Sequence, residues 1–340
     1  MLKRIVYFCG LVMLVFILYN LPLIGYGLMQ AKGQYKVLSE AKPLSYYTNQ
    51  VAFPDSLKEK IYQLEKIKTY AIQEFQLPAE TQYNSLYDQK GEDILWVVTA
   101  CDPFKLRSYK WSFPLLGEVT YKGFFDKQKA EETFKSLQKE GYDVRIRSVS
   151  AWSTLGWFSD PILSNMLQRS TAKLAEVVFH ELIHDVIYLK DSTDFNENLA
   201  SFIAQELTLK YVNGSSFSPE KVLQYEHSLE DSRKLYSFMN SQVLTIDSVY
   251  GHMDSLDLKG KTVAKEALFE QMRERLMSLN FHQNQIKTNI LENQSFNNAN
   301  LMAYERYGSL QSILEEQMSL KFHSDILQML AYYRKNFDNI

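Results

Sequence analysis

The feature that most constrains this chain is a pair of histidines four residues apart in an apolar segment. His180 and His184 lie with Glu181 in EVVFHELIHDV, residues 176–186. At about 100° per residue, an α-helix places these three polar side chains on one arc of about 100°. Burial of such groups without partners costs on the order of several kcal/mol. The helix therefore needs a ligand or hydrogen-bonding groups on that face.

The chemistry of these residue types favours a metal. Two histidines one helical turn apart can bind the same Zn²⁺ at about 2.0–2.1 Å. Glu181 lies too far round the helix to ligate beside them, so it can take a proton from a water at the metal. The pattern predicts His180 and His184 as zinc ligands and Glu181 as general base. The alternative is a polar cluster in the core that hydrogen bonds alone satisfy.

Glu197 is the candidate for the third ligand. It lies in DFNENLA, residues 194–200, and twelve residues separate it from His184. That spacing allows the first helix to finish near Leu189 and a second helix to begin beside the metal. Two histidines and a glutamate with an open fourth position form an established catalytic zinc site. The alternative is a capping box, in which Asp194 and Glu197 only satisfy backbone N–H groups.

Composition excludes other classes of protein. The 340 residues include 37 Lys and Arg against 40 Asp and Glu, which gives a formal charge of −3 without a long basic run. No nucleic-acid partner is therefore predicted. A hydrophobic content of 46% excludes a disordered chain, and 13 Gly with 8 Pro favour long helices. The sequence leaves the oligomeric state open.

An apolar segment near the N terminus predicts a membrane anchor. Ile5–Ile24 carries no charge and follows Lys3 and Arg4. A helix of about 20 such residues crosses a hydrocarbon core of about 30 Å. Positively charged residues beside a membrane helix stay in the cytoplasm, so Lys3 and Arg4 would hold the N terminus there. This predicts a single-pass inner-membrane protein with a periplasmic, extracytoplasmic domain. The alternative is a cleaved signal peptide.

The remaining pattern predicts an α+β fold, with a small mixed sheet followed by helices. Strand signals are the apolar, aromatic or alternating runs 94–99, 116–125 and 144–149. Helical periodicity follows Asp55 and Asp126 and continues through most of the chain after Ser170. We divide the chain into an anchor (1–31) and an extracytoplasmic domain (32–340). Within this domain, the part up to about residue 169 is predicted to be mixed α/β, and residues 170–340 are predicted to be helical.

Several short motifs occur along the chain. They are HExxH at 180–184, FNExxA at 195–200, AWSTLGWFxDP at 151–161, Gly33-Gln34, YxGFF at 121–125, NNAxL at 297–301 and Tyr307. With these motifs the chain resembles the bacterial putative aminopeptidase family of gluzincin-type zinc peptidases. This resemblance implies a zincin fold, zinc-dependent peptidase activity on a peptide substrate, and a location in the cell envelope.

A strand before the metal helix is the candidate for peptide binding. In the zincin arrangement an edge strand binds extended peptide by main-chain pairing, and Val144–Thr154 is positioned to do this. Trp152, Ser153 and Thr154 are therefore predicted to contact the substrate. The alternative is an ordinary sheet strand.

A phenol near the zinc would stabilise the oxyanion of the reaction. Tyr307 is the family-matched candidate, with Tyr304 as the alternative, and Asn297-Asn298 before them can equally be a helix N-cap. The predicted protein is a zinc-dependent peptidase anchored in the membrane, with the aminopeptidase label taken from the resemblance. A zinc endopeptidase and a non-catalytic envelope scaffold with a structural zinc are the alternatives.

Overall fold

The computed structural model describes residues 20–113, 117–149, 159–190, 192–291 and 296–337. Within them the chain forms a mixed α+β fold that is mostly helical, as predicted. The helices are α1 (Leu21–Glu40), α2 (Leu44–Thr48), α3 (Asp55–Phe75), α4 (Lys127–Lys139), α5 (Thr171–His184), α6 (Thr193–Gly214), α7 (Pro219–Tyr250), α8 (Leu258–Ser278), α9 (Gln285–Leu291), α10 (Asn298–Gly308), α11 (Gln311–Leu320) and α12 (Ile326–Phe337). The strands are β1 (Lys42–Pro43), β2 (Ser85–Tyr87), β3 (Trp96–Cys101), β4 (Trp111–Phe113), β5 (Gly117–Val119), β6 (Lys122–Phe124), β7 (Asp143–Ser148) and β8 (Ile162–Leu163).

Most of the predicted anchor lies at residues 5–19, outside the described residues, so the anchor stays a prediction. Among the helices that the structure describes, none has the length and apolar character needed to cross a membrane. The predicted boundary at residue 31 falls inside α1, which runs without a break from Leu21 to Glu40. α1 contacts the folded domain directly, because Tyr26 Oη and Gln30 Nε2 donate to the carbonyl oxygen of Gly123 at 3.0 and 2.7 Å.

Gly33 lets α1 lie close to the chain after β6. A methyl group added at Gly33 would overlap the Cβ and ring of Phe125. The Cβ of Phe125 cannot move without its backbone, so rotation of the ring would not relieve the overlap. The close approach explains the need for glycine at this position of the helix.

We expect Gly33→Ala to lower the free energy of unfolding by about 1–3 kcal/mol, the usual cost of overpacking. Gly27→Ala is the matched control on the same helix, since nothing lies within 4 Å of an added Cβ there. Alanine at Gly27 should stabilise by about 0.5–1 kcal/mol through helix propensity. Urea denaturation of both variants checks the pair, and equal stabilities would contradict the close packing.

The sheet nearest the candidate site has the strand order β6–β3–β7, with antiparallel pairing throughout. One of its faces is apolar and packs on α4. That buried cluster contains Val98, Ala100, Phe124, Ala130, Leu137 and Val144. α4 begins where the sequence predicted, because Asp126 Oδ1 accepts a hydrogen bond from Lys129 N–H at 3.2 Å. The opposite face carries Thr99 and Arg145, which are register partners.

The largest buried core surrounds α5. Its members include Phe179, Leu182 and Ile183 of α5 together with residues of α3, α6 and α12. A second core joins α7 and α8 to α10 through residues such as Met239, Met272 and Leu301. α5 is therefore fixed on its apolar side, which leaves its polar arc directed at α6.

Two predicted boundaries were wrong. α5 ends at His184 instead of near Leu189. α6 continues to Gly214, into residues 211–219, where the sequence Asn213-Gly214-Ser215-Ser216 predicts a loop. The first difference has a local cause: the Asn196 side chain accepts from Leu189 N–H at 2.9 Å and donates to Leu189 O at 2.8 Å. The N–H and C=O groups of Leu189 are therefore engaged by Asn196 and do not form the hydrogen bonds of an α-helix.

Candidate metal centre

Three predicted ligands meet between α5 and α6. His180 Nε2 lies 3.1 Å from His184 Nε2. The Glu197 carboxylate faces both rings, with Oε2 at 3.4 Å from His180 Nε2 and Oε1 at 3.7 Å from His184 Nε2. The ligand atoms of the three residues all lie within 4.8 Å of one another. This group could hold a metal ion.

The distances fit a tetrahedral ion. Two nitrogens at about 2.0–2.1 Å from Zn²⁺ and at the tetrahedral angle would be about 3.3–3.4 Å apart. The observed separation of 3.1 Å between the two Nε2 atoms is close to this value. The capping-box alternative for Glu197 is not favoured, since the N-cap of α6 is Ser192 and makes no side-chain cap bond.

The pKa values of the two histidines also favour a cation between their rings. Burial lowers the pKa of His184 to about 4, and the neighbouring His180 adds to that effect, so His184 is neutral at pH 7. Burial also lowers the pKa of His180, but its hydrogen bond to Glu197 and the charges of Glu181 and Glu197 outweigh this and raise it overall. A positive charge is thus favoured where the ligand atoms converge, as a divalent ion would supply.

The second nitrogens of the two rings differ in their contacts. Nδ1 of His180 lies 3.4 Å from Ser201 Oγ, one turn along α6 from Glu197. Nδ1 of His184 is buried and has no hydrogen-bond partner among the described residues. Ser201 is therefore the residue in the described part that can orient a ligand ring.

Glu181 has the properties of a general base. Burial raises its pKa to about 7, helped by Glu197 and Asp160 and opposed by His180. A carboxylate with a pKa near the working pH both accepts and returns a proton readily. Glu181 and His180 line the same cavity of about 480 Å³, so the base faces the space in which a substrate could lie.

Other predicted site residues fall outside the described structure. Trp152, Ser153 and Thr154 lie in the segment 150–158, which is not described, so their substrate contact stays a prediction. Tyr307 belongs to α10, but its side chain is outside the description. Tyr304, the alternative phenol, lines the cavity beside Glu181.

Asn297 and Asn298 have structural roles in α10. Asn297 caps α10 with a capping box, which supports the N-cap alternative, and its Nδ2 donates to Val144 O at 3.1 Å. Asn298 is fully buried; its Nδ2 donates to Asp102 O at 2.8 Å, and its Oδ1 accepts from Tyr250 Oη at 3.0 Å. The pair ties α10 to the sheet and to α7.

Sequence reasoning missed the arginines of the cavity. Arg145, Arg147 and Arg169 line it together with Glu176. The available signal was the alternation of Arg145 and Arg147 in β7, which places two cations on one face of a strand. In the sequence, that alternation serves only as a strand signal.

A family model described as "Putative aminopeptidase" matches residues 25–332. The chain belongs to the putative aminopeptidase family. The match extends from α1 into α12 and includes His180, His184 and Glu197, so the family and the candidate metal centre coincide in the chain. The family suggests peptidase activity. No curated protein and no solved structure matches the chain.

Proposed function

We propose that the protein is a zinc-dependent peptidase, and that it acts as an aminopeptidase. The observation that carries the proposal is the convergence of His180, His184 and Glu197 beside a half-buried carboxylate, Glu181, at the wall of a cavity. A structural zinc has no use for a base beside an open coordination position, whereas a hydrolytic one requires it. The family suggests the same class of reaction.

The chain's own residues supply the steps of hydrolysis. His180, His184 and Glu197 would hold the zinc, which when bound lowers the pKa of a water to about 7 and polarises the scissile carbonyl. Glu181 accepts the proton of the attacking water and returns it to the leaving amine. Its raised pKa of about 7 suits both transfers.

The edge of β7 supports peptide binding. Val149 N–H donates to Leu95 O at 3.0 Å, so the backbone groups that hydrogen-bond to β3 belong to Val149 and to every second residue before it, such as Arg147. In an antiparallel pair the residues between them, Ile146 and Ser148, direct their backbone N–H and C=O groups away from β3. An extended peptide can pair with such an edge.

We infer a zincin-type arrangement from the same elements. A metal helix with HExxH, α5, is followed by a helix that carries the glutamate, α6, and the sheet edge at β7 precedes both. Arg145 and Arg147 of β7 line one cavity with His180 and Glu181 of α5, which brings the edge strand and the metal helix to the same space.

One experiment tests the activity directly. The purified chain is loaded with zinc, its metal content is measured, and a peptide library is digested with free and with acetylated N termini. We expect one zinc per chain and cleavage that needs it, restricted to free N termini. Cleavage of acetylated peptides would make the protein an endopeptidase, and full zinc occupancy without any cleavage would favour a structural metal.

We propose Tyr307 as the oxyanion donor. Tyr307→Phe should lower kcat by about 10²-fold with little change in KM or zinc content, since the hydrogen bond strengthens in the transition state. Tyr304→Phe is the matched control one turn earlier in α10; burial raises the pKa of Tyr304, and nearby Arg145 opposes that effect. A larger loss of kcat in Tyr304→Phe than in Tyr307→Phe would make Tyr304 the oxyanion donor instead.

We propose that Ile5–Ile24 anchors the protein in the inner membrane, with the peptidase domain in the periplasm. Lys3 and Arg4 would keep the N terminus in the cytoplasm. Protease added to the periplasmic face of spheroplasts should digest the chain beyond Lys32. Protection of the domain in intact spheroplasts, with digestion after lysis, would contradict this orientation.

A further inference from the structure

The cavity beside the candidate metal centre is rich in arginine. Its volume is about 480 Å³, which is enough for one or two amino-acid side chains. The walls come from β3 and β7, from the turn before α5, and from α5, α6, α7 and α10. Besides His180 and Glu181, they include Arg145, Arg147, Arg169, Glu176, Tyr236 and Tyr304.

The strand period places two of these arginines together. Side chains two residues apart in a strand point to the same face, so Arg145 and Arg147 share the face opposite the apolar cluster on α4. Thr99, the register partner of Arg145, also lines the cavity. The apolar face holds β7 against α4, so the two guanidinium groups cannot turn to the other side of the sheet.

Arg169 approaches from the turn before α5. Burial lowers its pKa, and the charge of Glu176 opposes that effect. The Glu176 carboxylate is already engaged, since Oε2 accepts from Lys173 Nζ at 2.7 Å and from Tyr225 Oη at 2.8 Å. Its negative charge is therefore shared between Arg169 and Lys173.

The charges of the described lining residues favour an anion. Three arginines line the cavity against two carboxylates, Glu176 and Glu181. Glu181 belongs to the metal centre, and Glu176 also faces Lys173. An arginine carries five N–H donors, so one that bonds to the protein still has donors for a ligand. Its planar fork matches a carboxylate better than any other side chain does.

We propose that this cavity binds a carboxylate of the substrate, so that the enzyme selects peptides with an acidic group close to the cleaved bond. The proposal rests on the proposed peptidase function, because His180 and Glu181 line the same cavity as the arginines. Two sources supply the same chemistry: an acidic side chain, or the free C-terminal carboxylate of a short peptide. In either case the arginines orient the peptide across the metal centre.

The kinetic test uses a panel of alanine hexapeptides. Each has Glu or Gln at one position and a free or amidated C terminus, and kcat/KM is measured for every peptide. We expect the carboxylate form to be cleaved about 10- to 100-fold faster than its amide at one position or at the C terminus, as charge-assisted hydrogen bonds typically give. The preferred member of the panel identifies which carboxylate the cavity takes.

Variants assign that preference to the arginines. Arg147→Gln should reduce the ratio of kcat/KM between the matched acid and amide peptides by about tenfold, and Arg147→Lys should retain part of it. Arg273→Gln is the control: Arg273 lies on α8 and pairs with Glu270 at 3.3 Å, away from the cavity wall. It should leave the ratio unchanged. Circular dichroism confirms that the variants are folded.

A binding measurement separates this inference from the proposed activity. Calorimetry with the metal-free protein should give tighter binding of the preferred acid peptide than of its amide, whether or not either is cleaved. Cleavage without any preference for a carboxylate, together with equal binding, would overturn the inference and leave the peptidase intact. Preferential binding without cleavage would support the inference and reject the activity.

Discussion

Glu181→Gln is expected to keep its zinc and to lose about 10²- to 10⁴-fold in kcat, the usual contribution of a general base. Glutamine has nearly the shape of glutamate but cannot accept the proton of the attacking water. The proposed ligands His180, His184 and Glu197 are untouched in this variant, so we expect the metal to stay bound. Metal analysis and peptide hydrolysis on the same preparation measure both halves of the expectation.

Glu270→Gln provides the matched control for this prediction. Glu270 is an exposed glutamate of α8 that pairs with Arg273. Its replacement should change neither kcat nor metal content. Hydrolysis that survived in Glu181→Gln would assign the base to another residue, and loss of zinc from that variant would mean that Glu181 is itself a ligand.

His184→Ala and Glu197→Ala should both abolish hydrolysis by removing the metal. Each variant leaves two of the three converging groups. The fall in zinc affinity should exceed the 10- to 100-fold that loss of an outer-shell partner typically costs. Equilibrium dialysis against a buffered zinc series gives the affinity directly, and activity should follow occupancy.

His252→Ala is the control for the ligand variants. His252 is exposed, and its Nδ1 contacts Ser248 O at 2.7 Å. Zinc affinity should stay at the wild-type value in this variant. If Glu197→Ala kept full affinity, the third ligand would have to come from another residue, and the convergence of the three side chains would have a different cause.

The candidate metal centre could be predicted because its geometry is local. The positions of His180 and His184 follow from the helical repeat, and Glu197 follows from the length of one connection. The α+β class and the helix that follows Asp126 were likewise predicted from short patterns and are confirmed by the structure. Such inferences need only the conformation of a few adjacent residues.

The cavity could not be predicted because its walls are brought together by tertiary packing. Arg145, Arg169 and Tyr236 are far apart in the chain, and no periodicity relates them. The end of α5 was missed for a related reason. The Asn196 side chain, seven residues further along the chain, hydrogen-bonds to the backbone N–H and C=O of Leu189 in place of helical partners. The helix propensities of the residues near Leu189 do not predict that contact.

The connection between α5 and α6 determines how the protein would acquire its metal. Asn196 holds both backbone groups of Leu189, and buried Phe179 and Phe202 fix the two helices in one core. The three converging side chains are thus held in place by contacts within the protein, whereas zinc fingers fold only when they bind their metal. A folded chain could therefore take up zinc after synthesis, through the cavity that His180 lines. Its activity would then follow the supply of free zinc around it rather than the supply at the time of synthesis.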